Sequence, residues 1–408
     1  MSDVTPAAET IDFAEGWERA RDEPRVLVAA GGTGGHVVPA ASLCEELKKL
    51  RPQTKILFVG VGRQAEADIL DPLGYERAVL QVPQLAGKSP FRALGSVFGL
   101  LKAQAGAMDL VRKFKPDLCL AFGGYVCGPA GLAAKMFGVP LVLHEQNSSP
   151  GLTNRWLAMI SDLVMLGFEE AAGKFSTRKI VFSGNPVRES ISRIGAEKPE
   201  INLKKPCLLI VGGSQGSKRL NAAALELAAD LRGRGIDFRV VHQTGAGAAD
   251  ETAESYRDLG VDARVSAFIT DMAGRYLEAD LAVTRAGALT LAEQAAAGVP
   301  AVLVPLPTAA GDHQTVNALA VEARGAAKVV RESELERGLL SKTVLELLGS
   351  PDKLPEMARR ARESGAGAGQ VGARMARLAL AAMARGKYAV RADAKQFRGG
   401  GGGEKKRG

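Results

Sequence analysis

From Arg25 onward the chain alternates short apolar, β-branched runs with longer stretches of helical spacing. Val26–Ala30, Ile56–Gly60, Ala78–Val82, Leu118–Phe122 and Leu141–His144 read as strands, and helices are expected near 39–51, 63–72, 91–114, 129–138 and 151–160. Strands alternating with helices of this length predict βαβ units and a parallel sheet. A second series starts at Cys207–Val211 and runs through Phe238–His242, Ala263–Ala267, Leu281–Thr284, Ala301–Val304 and Ala327–Val330. Between the two series, residues 195–206 are charged, proline-bearing and aperiodic, which predicts a linker. The expected architecture is α/β, with one domain over 25–194 and another over 207–369.

Each half opens with a strand that runs into glycines, Ala30-Gly-Gly-Thr-Gly-Gly-His36 in the first and Val211-Gly-Gly-Ser-Gln-Gly-Ser-Lys218 in the second. A bare backbone lets a ligand approach closely, and the helix that follows offers unpaired N–H groups and the positive end of its dipole. Such turns suit a phosphate or diphosphate. Two of them in facing domains would line a cleft at the carboxyl ends of both sheets. The competing motifs fit poorly: the first turn lacks the third glycine of GxGxxG, the second strand ends at Gly60 without a ribose-binding acid, and residue 217 is serine where a P-loop needs glycine.

Composition narrows the setting. The 408 residues are 46% hydrophobic and 24% charged, enough for large cores. No stretch is long and apolar enough to span a bilayer, and Met1–Pro6 lacks the pattern of a secretory signal. Cys44, Cys119, Cys127 and Cys207 have no metal or disulfide spacing, so reduced thiols and no metal site are expected. The net charge of +8 favours an anionic partner. Residues 1–24 hold seven acids against two bases, and residues 387–408 hold seven bases against two acids; both ends read as solvated tails. Nucleic acid is not the expected partner, because aromatic residues are only 5% and never alternate with the basic ones.

Polar residues gather where strands end. His36 closes the first glycine turn, where an imidazole suits a general base or simply bonds the backbone. Tyr125 lies on the turn after Leu118–Phe122, and His144, Glu145, Gln146 and Asn147 end the fifth strand. His144 also fits a satisfied core histidine, and Asn147 or Ser148 a helix cap. Arg188, just before the linker, fits a phosphate clamp or an interdomain ion pair. Glu293 fits a ribose-diol acceptor, or the far member of a Thr290-x-x-Glu293 capping box. Asp312 reads as an N-cap, with His313 and Gln314 in the first helical turn.

In order and spacing, GGTGGHVVPA, FGGYVCGPAGLAA, HEQN, GLTN, GNPVR, GGSQGS, TRAGALTLAE and HQTVNA resemble the MurG family of bacterial transferases, which move N-acetylglucosamine from UDP-N-acetylglucosamine to lipid I. The resemblance runs from about Arg25 to Arg385. It implies a GT-B fold, two Rossmann-like domains with parallel sheets facing a cleft. The first would take the acceptor and the second the UDP-sugar, with a final helix, 370–385, crossing back to the first. It also implies roles by motif match. His36 would be the base for the acceptor C4 hydroxyl. Thr33, Gly34, Gly35, Asn147, Arg188, Ser214, Ile269, Ala288, Leu289, Thr290, Glu293 and Gln314 would serve the donor, and Tyr125 and Glu145 the acceptor. The chemistry implied is an inverting displacement giving the β(1→4) linkage of lipid II, without cofactor. No DxD cluster stands at the donor motifs, so turnover is expected to survive EDTA.

Lipid I is membrane-anchored, which gives a further stretch meaning. Phe91, Leu94, Val97, Phe98 and Leu101 share one helical face flanked by Lys88, Arg92 and Lys102. That face suits either the protein core or an anionic membrane surface. The expected location is peripheral, on the cytoplasmic face of the bacterial cell membrane. Two other readings stay open: a related transferase with a sterol, diacylglycerol or small-metabolite acceptor, and a nucleotide-sugar-binding protein without turnover.

Overall fold

The computed structural model describes residues 22–32, 34–83, 90–177, 179–213 and 215–385. Thr33, Ser214, Lys88 and the basic tail therefore lie outside the described residues, as do the side chains of Phe91, Arg92, Leu94 and Val97.

Two parallel sheets organise the chain. The first holds β1 (Arg25–Ala30), β2 (Lys55–Gly60), β3 (Glu76–Val79), β4 (Leu118–Gly123), β5 (Leu141–Glu145), β6 (Leu163–Leu166) and β7 (Ile180–Phe182), in the order β3-β2-β1-β4-β5-β6-β7. The second holds β8 (Cys207–Val211), β9 (Arg239–Gln243), β10 (Asp262–Ser266), β11 (Leu281–Thr284), β12 (Ala301–Leu303) and β13 (Ala327–Val329), in the order β10-β9-β8-β11-β12-β13. Strand order reverses at β1/β4 and at β8/β11, the place where open α/β sheets leave a crevice at their carboxyl ends. Both glycine turns leave the sheets at those points.

The period-two alternation of side chains divides each central strand between two cores. Val26, Val28 and Ala30 of β1 pack with the helix Gly34–Leu50, whereas Leu27 and Ala29 point to the opposite face, toward the helices Pro90–Phe114 and Cys127–Met136. In β8, Leu208 and Ile210 face one core and Cys207, Leu209 and Val211 the other. Helices cover both faces of each sheet, so central strands are apolar throughout. The helix Ala368–Arg385 completes the first lobe: Met375, Leu378, Ala379 and Met383 join the core of β1 and the helix Gly34–Leu50. All four cysteines are buried and unpaired.

Three details depart from the sequence reading. The two short strands β6 and β7 had no expected counterpart. The first helix begins at Gly34, inside the glycine turn, and not at Pro39, which sits in the second turn and leaves the carbonyl of exposed Gly35 without its intrahelical partner. The start of the expected linker is instead the short helix Ile194–Glu197. Lys198 follows it, with Nζ donating to the Tyr276 carbonyl at 2.8 Å, and burial pushes its pKa down to about 8.

Candidate active site in the interlobe cleft

The first glycine turn is held from behind by Glu66. Its Oε1 accepts from Gly32 N at 2.8 Å and Val61 N at 3.2 Å, and its Oε2 accepts from Gly62 N at 2.9 Å. Glu66 is 3% exposed, and sequence reasoning passed over it because it lies in a charged, surface-like helix. Gly34 and Gly35 begin the helix that this turn feeds, leaving its first N–H groups at the cleft edge.

His36 lies on the first turn of that helix, against the end of β4. Gly123 there has φ +114°, and a Cβ on it would come within 2.8 Å of His36 Cε1, so the imidazole needs glycine beneath it. His36 Nδ1 pairs with Gln146 Oε1 at 3.2 Å. Burial lowers the His36 pKa, and the nearby His313 of the second lobe lowers it further, against the opposing effects of Gln146 and the Phe122 backbone. The ring is therefore held neutral near pH 7, the state a general base requires.

The HEQN loop ends β5. His144 is buried, its Nε2 is 3.2 Å from the Gly184 carbonyl, and burial lowers its pKa to about 4. Glu145 is 2% exposed; its Oε1 accepts from Asn147 N at 2.9 Å and its Oε2 from Asn154 Nδ2 at 2.8 Å. This carboxylate braces the loop from below, and the acceptor-side position expected for it is filled by protein donors. Tyr125, in contrast, is 49% exposed at the mouth of the cleft. Neither Asn147 nor Ser148 caps the next helix, whose N-cap is Gly151.

In the second lobe, Gly216 has φ +72° and sits so close to the Thr244 carbonyl that a Cβ would lie 2.0 Å away. Gln243 ties this turn to the neighbouring strand end: Nε2 donates to the Gly213 carbonyl at 3.0 Å and Oε1 accepts from Ile269 N at 2.8 Å. Ser217 caps the helix Lys218–Gly233 through Leu220 N, and buried Arg285 donates to Ser217 Oγ at 2.6 Å. The helix Ala288–Ala297 starts at Gly287 with no side-chain cap, so the first-turn N–H groups of Ala288, Leu289 and Thr290 lack a capping side chain. The Thr290/Glu293 capping box is not formed. Glu293 instead accepts from Arg188 at 3.0 Å on Oε1 and from the Tyr276 hydroxyl at 3.3 Å on Oε2, and burial outweighs Arg188 in raising its pKa.

Gln314 Oε1 accepts from Ala286 N at 3.2 Å and Leu306 N at 3.0 Å, tying three loop segments together. Asp312 takes the N-cap position with φ +53°, yet its Oδ1 accepts from the Thr315 hydroxyl and no backbone N–H.

Asn317 joins the lobes. Fully buried, it accepts from Ser148 N at 2.9 Å and Ser148 Oγ at 2.7 Å, and donates to Asn147 Oδ1 at 3.2 Å and the Ala286 carbonyl at 3.3 Å. Every hydrogen-bonding position of the amide is used. The cleft thus gathers His36, Gln146, Asn147 and Arg188 from one side and Glu293, His313, Gln314 and Asn317 from the other. Among the described residues, no group of three His, Cys, Asp or Glu side chains is arranged to hold a metal ion.

Comparisons with known proteins agree with this architecture. Residues 26–166 match the glycosyltransferase family 28 N-terminal domain, and residues 207–370 match the glycosyltransferase family 28 C-terminal domain. The chain is 43% identical over 342 residues, 83% of its length and 93% of the relative's, to a UDP-N-acetylglucosamine–N-acetylmuramyl-(pentapeptide) pyrophosphoryl-undecaprenol N-acetylglucosamine transferase of Alcanivorax borkumensis. It is similar to the crystal structure of Acinetobacter baumannii MurG, with TM-score 0.68 and 32% identity over 84% of this chain and 95% of that one. A Neisseria meningitidis UDP-GlcNAc 2-epimerase structure bound to UDP-GlcNAc shares the fold alone, at TM-score 0.58 and 17% identity over 85% of this chain and 98% of that one.

Proposed function

Because this chain belongs to glycosyltransferase family 28, we infer that its interlobe cleft transfers N-acetylglucosamine from UDP-N-acetylglucosamine to the C4 hydroxyl of the N-acetylmuramyl group of lipid I. The product is lipid II, the building block of peptidoglycan. What carries the reading is the convergence, across one seam, of a neutral His36 and the HEQN loop with Glu293 and the uncapped helix Ala288–Ala297.

The reaction is a single in-line displacement. The acceptor oxygen forms a bond to the anomeric carbon while the bond from that carbon to the diphosphate oxygen breaks, which inverts the configuration from α to β. His36 Nε2 takes the hydroxyl proton, and the electron pair of the broken bond leaves on UDP. The amide groups at Gly212–Gly216, Ser214 and the first-turn N–H groups of Ala288, Leu289 and Thr290 stabilise that charge. Glu293 takes the ribose hydroxyls, Ile269 lines the uracil, and Asn147, Arg188 and Gln314 orient the sugar diphosphate. By motif match, Thr33, Gly34 and Gly35 serve the phosphates and sugar of the donor, and Tyr125 guides the acceptor. Residues 25–194 with the returning helix form the acceptor unit, and residues 207–369 form the donor unit.

The acceptor unit also presents a face for the membrane that carries lipid I. The helices Pro90–Phe114, Cys127–Met136 and Leu152–Ile160 pack side by side on one face of the first sheet. Their outer surface exposes Phe98 (72%), Leu101, Met136, Phe137, Leu152 (75%), Trp156 (71%) and Met159, with Lys102 and Arg155 exposed among them. Phe98 and Leu101 do not enter the core, so that alternative fails for them, and Trp156 extends the patch beyond the stretch singled out in sequence. Apolar side chains edged by cations suit an anionic leaflet. Among the described residues, no helix is long and apolar enough to cross a membrane. The protein acts as a peripheral enzyme on the cytoplasmic face.

Incubating the purified protein with UDP-N-acetylglucosamine and a short-chain lipid I analogue tests the activity. The β(1→4) disaccharide product is expected. Binding of the donor without product would leave a nucleotide-sugar-binding protein, and transfer only to another acceptor would reassign the substrate.

A further inference from the structure

The reading of His36 as the base requires its Nε2 to carry a lone pair. A neutral imidazole can hold its single proton on either nitrogen, and in free histidine Nε2 is the commoner site, the wrong one for this task. The surroundings of His36 decide which form exists, and they can be worked out from one fixed point deep in the first lobe.

That point is the Gly184 carbonyl. A carbonyl only accepts, so His144 Nε2, 3.2 Å away, must carry the proton, and His144 Nδ1 must be bare. The group facing that bare nitrogen at 3.2 Å is the Gln146 side chain, which must therefore present its NH2. The His144 carbonyl fixes the same orientation independently, because Gln146 Nε2 also lies 3.2 Å from it. Gln146 Oε1 then faces His36 Nδ1 at 3.2 Å and can only accept, so Nδ1 carries the proton. In the neutral ring the lone pair then falls to Nε2. We propose that Gln146, anchored by His144 and the Gly184 carbonyl, is a positioning residue that locks His36 in its Nδ1–H form and so keeps Nε2 free to accept the acceptor proton.

The chain of donors runs in one direction, from His36 through Gln146 and His144 to Gly184. Burial supports its two inner members. Gln146 is 1% exposed and His144 also 1%, so neither finds water as a substitute partner. Asn185 Nδ2 donates to the Gln146 main-chain carbonyl at 3.0 Å and holds the loop in place. His144 stays neutral, as the relay demands, because burial lowers its pKa to about 4. The groups that act on His36 are Gln146, the Phe122 main-chain carbonyl and His313 across the cleft, with His144 behind Gln146. The catalytic value of the relay rests on the base assignment made above, whereas its geometry does not.

The chain has only four histidines, so long-range 1H–15N spectra of histidine-labelled protein can resolve each ring. The wild type is expected to show His36 protonated on Nδ1 and His144 on Nε2, two opposite forms in one spectrum. In Gln146→Leu, His36 should revert toward the Nε2–H form, and kcat should fall about 10-fold or more with the donor KM little changed. Gln146→Glu, whose carboxylate accepts from the same Nδ1–H, should hold the form and move the acid limb of the kcat profile to higher pH. A wild-type His36 protonated on Nε2 overturns the proposal even if no variant folds. So does a folded Gln146→Leu enzyme with an unmoved His36 spectrum. Near-normal turnover by His36→Ala would remove the base assignment alone, leaving the spectra to judge the relay.

Discussion

Arg188 of the first lobe donates to Glu293 of the second at 3.0 Å, so the carboxylate assigned to the donor ribose is also one of the points where the lobes are tied. A ribose diol docking there competes with Arg188 and the Tyr276 hydroxyl for the same lone pairs. Hydrogen bonds to a charged group are worth about 1.5–3 kcal/mol, so Glu293→Ala should raise the donor KM by about 10- to 100-fold and kcat should change less. Initial-rate kinetics check this, and an unchanged KM would remove Glu293 from the ribose site.

Asn317→Ala should destabilise the protein by about 1–3 kcal/mol, because it leaves the Ser148 amide buried with no acceptor and frees Asn147 Oδ1. Thermal denaturation reads the loss. Turnover should fall as well, since the HEQN loop loses its contact with the opposite lobe. A variant as stable as wild type would mean that the lobes are not joined there in solution.

Stability should also depend on pH in a stated direction. His242 is buried between the Tyr256 hydroxyl at 3.0 Å and Asn221 Oδ1 at 3.2 Å, and burial lowers its pKa to about 4. Its ordinary value is 6.5. Between those two values the unfolded chain binds a proton that the folded protein refuses, so the stabilisation is complete above about pH 6.5 and is lost as pH falls toward 4. Urea titrations across this window should show a falling midpoint, and a His242→Gln variant should show a shallower fall. Equal slopes would contradict the assignment.

On the acceptor unit, Phe98→Ser combined with Trp156→Ser should weaken co-sedimentation with vesicles containing anionic lipid, because both rings are mostly exposed. Turnover of a soluble acceptor analogue should stay close to wild type. Equal vesicle binding by both folded proteins would defeat the membrane face.

Much of this was legible in the chain, and what was not has physical causes. The long central strands announced themselves as apolar runs, and the two glycine turns marked the carboxyl ends of β1 and β8, where each strand order reverses. β6 and β7 escaped notice because β6 follows the helix Leu152–Ile160 after only Ser161 and Asp162, with no glycine or proline between, and β7 is a half-buried edge run of three residues. Glu66 resembled any acid on an exposed helix until the fold turned it under three backbone amides. The motifs named the right neighbours for His36, but the Gln146 contact spans 110 residues, and no local pattern encodes a pairing at that range. Glu145 shows the converse: a polar residue at a strand end reads as a ligand contact, whereas here it is the brace on which Asn147 and Asn154 rest.

The central claim is that two facing lobes hold a sugar diphosphate between them by main-chain amides. A crystal structure with UDP bound tests it most directly. The account predicts the diphosphate against Gly212–Gly216 and the start of the helix Ala288–Ala297, with the ribose on Glu293 in place of Arg188. UDP seated elsewhere, with that turn empty, would contradict it.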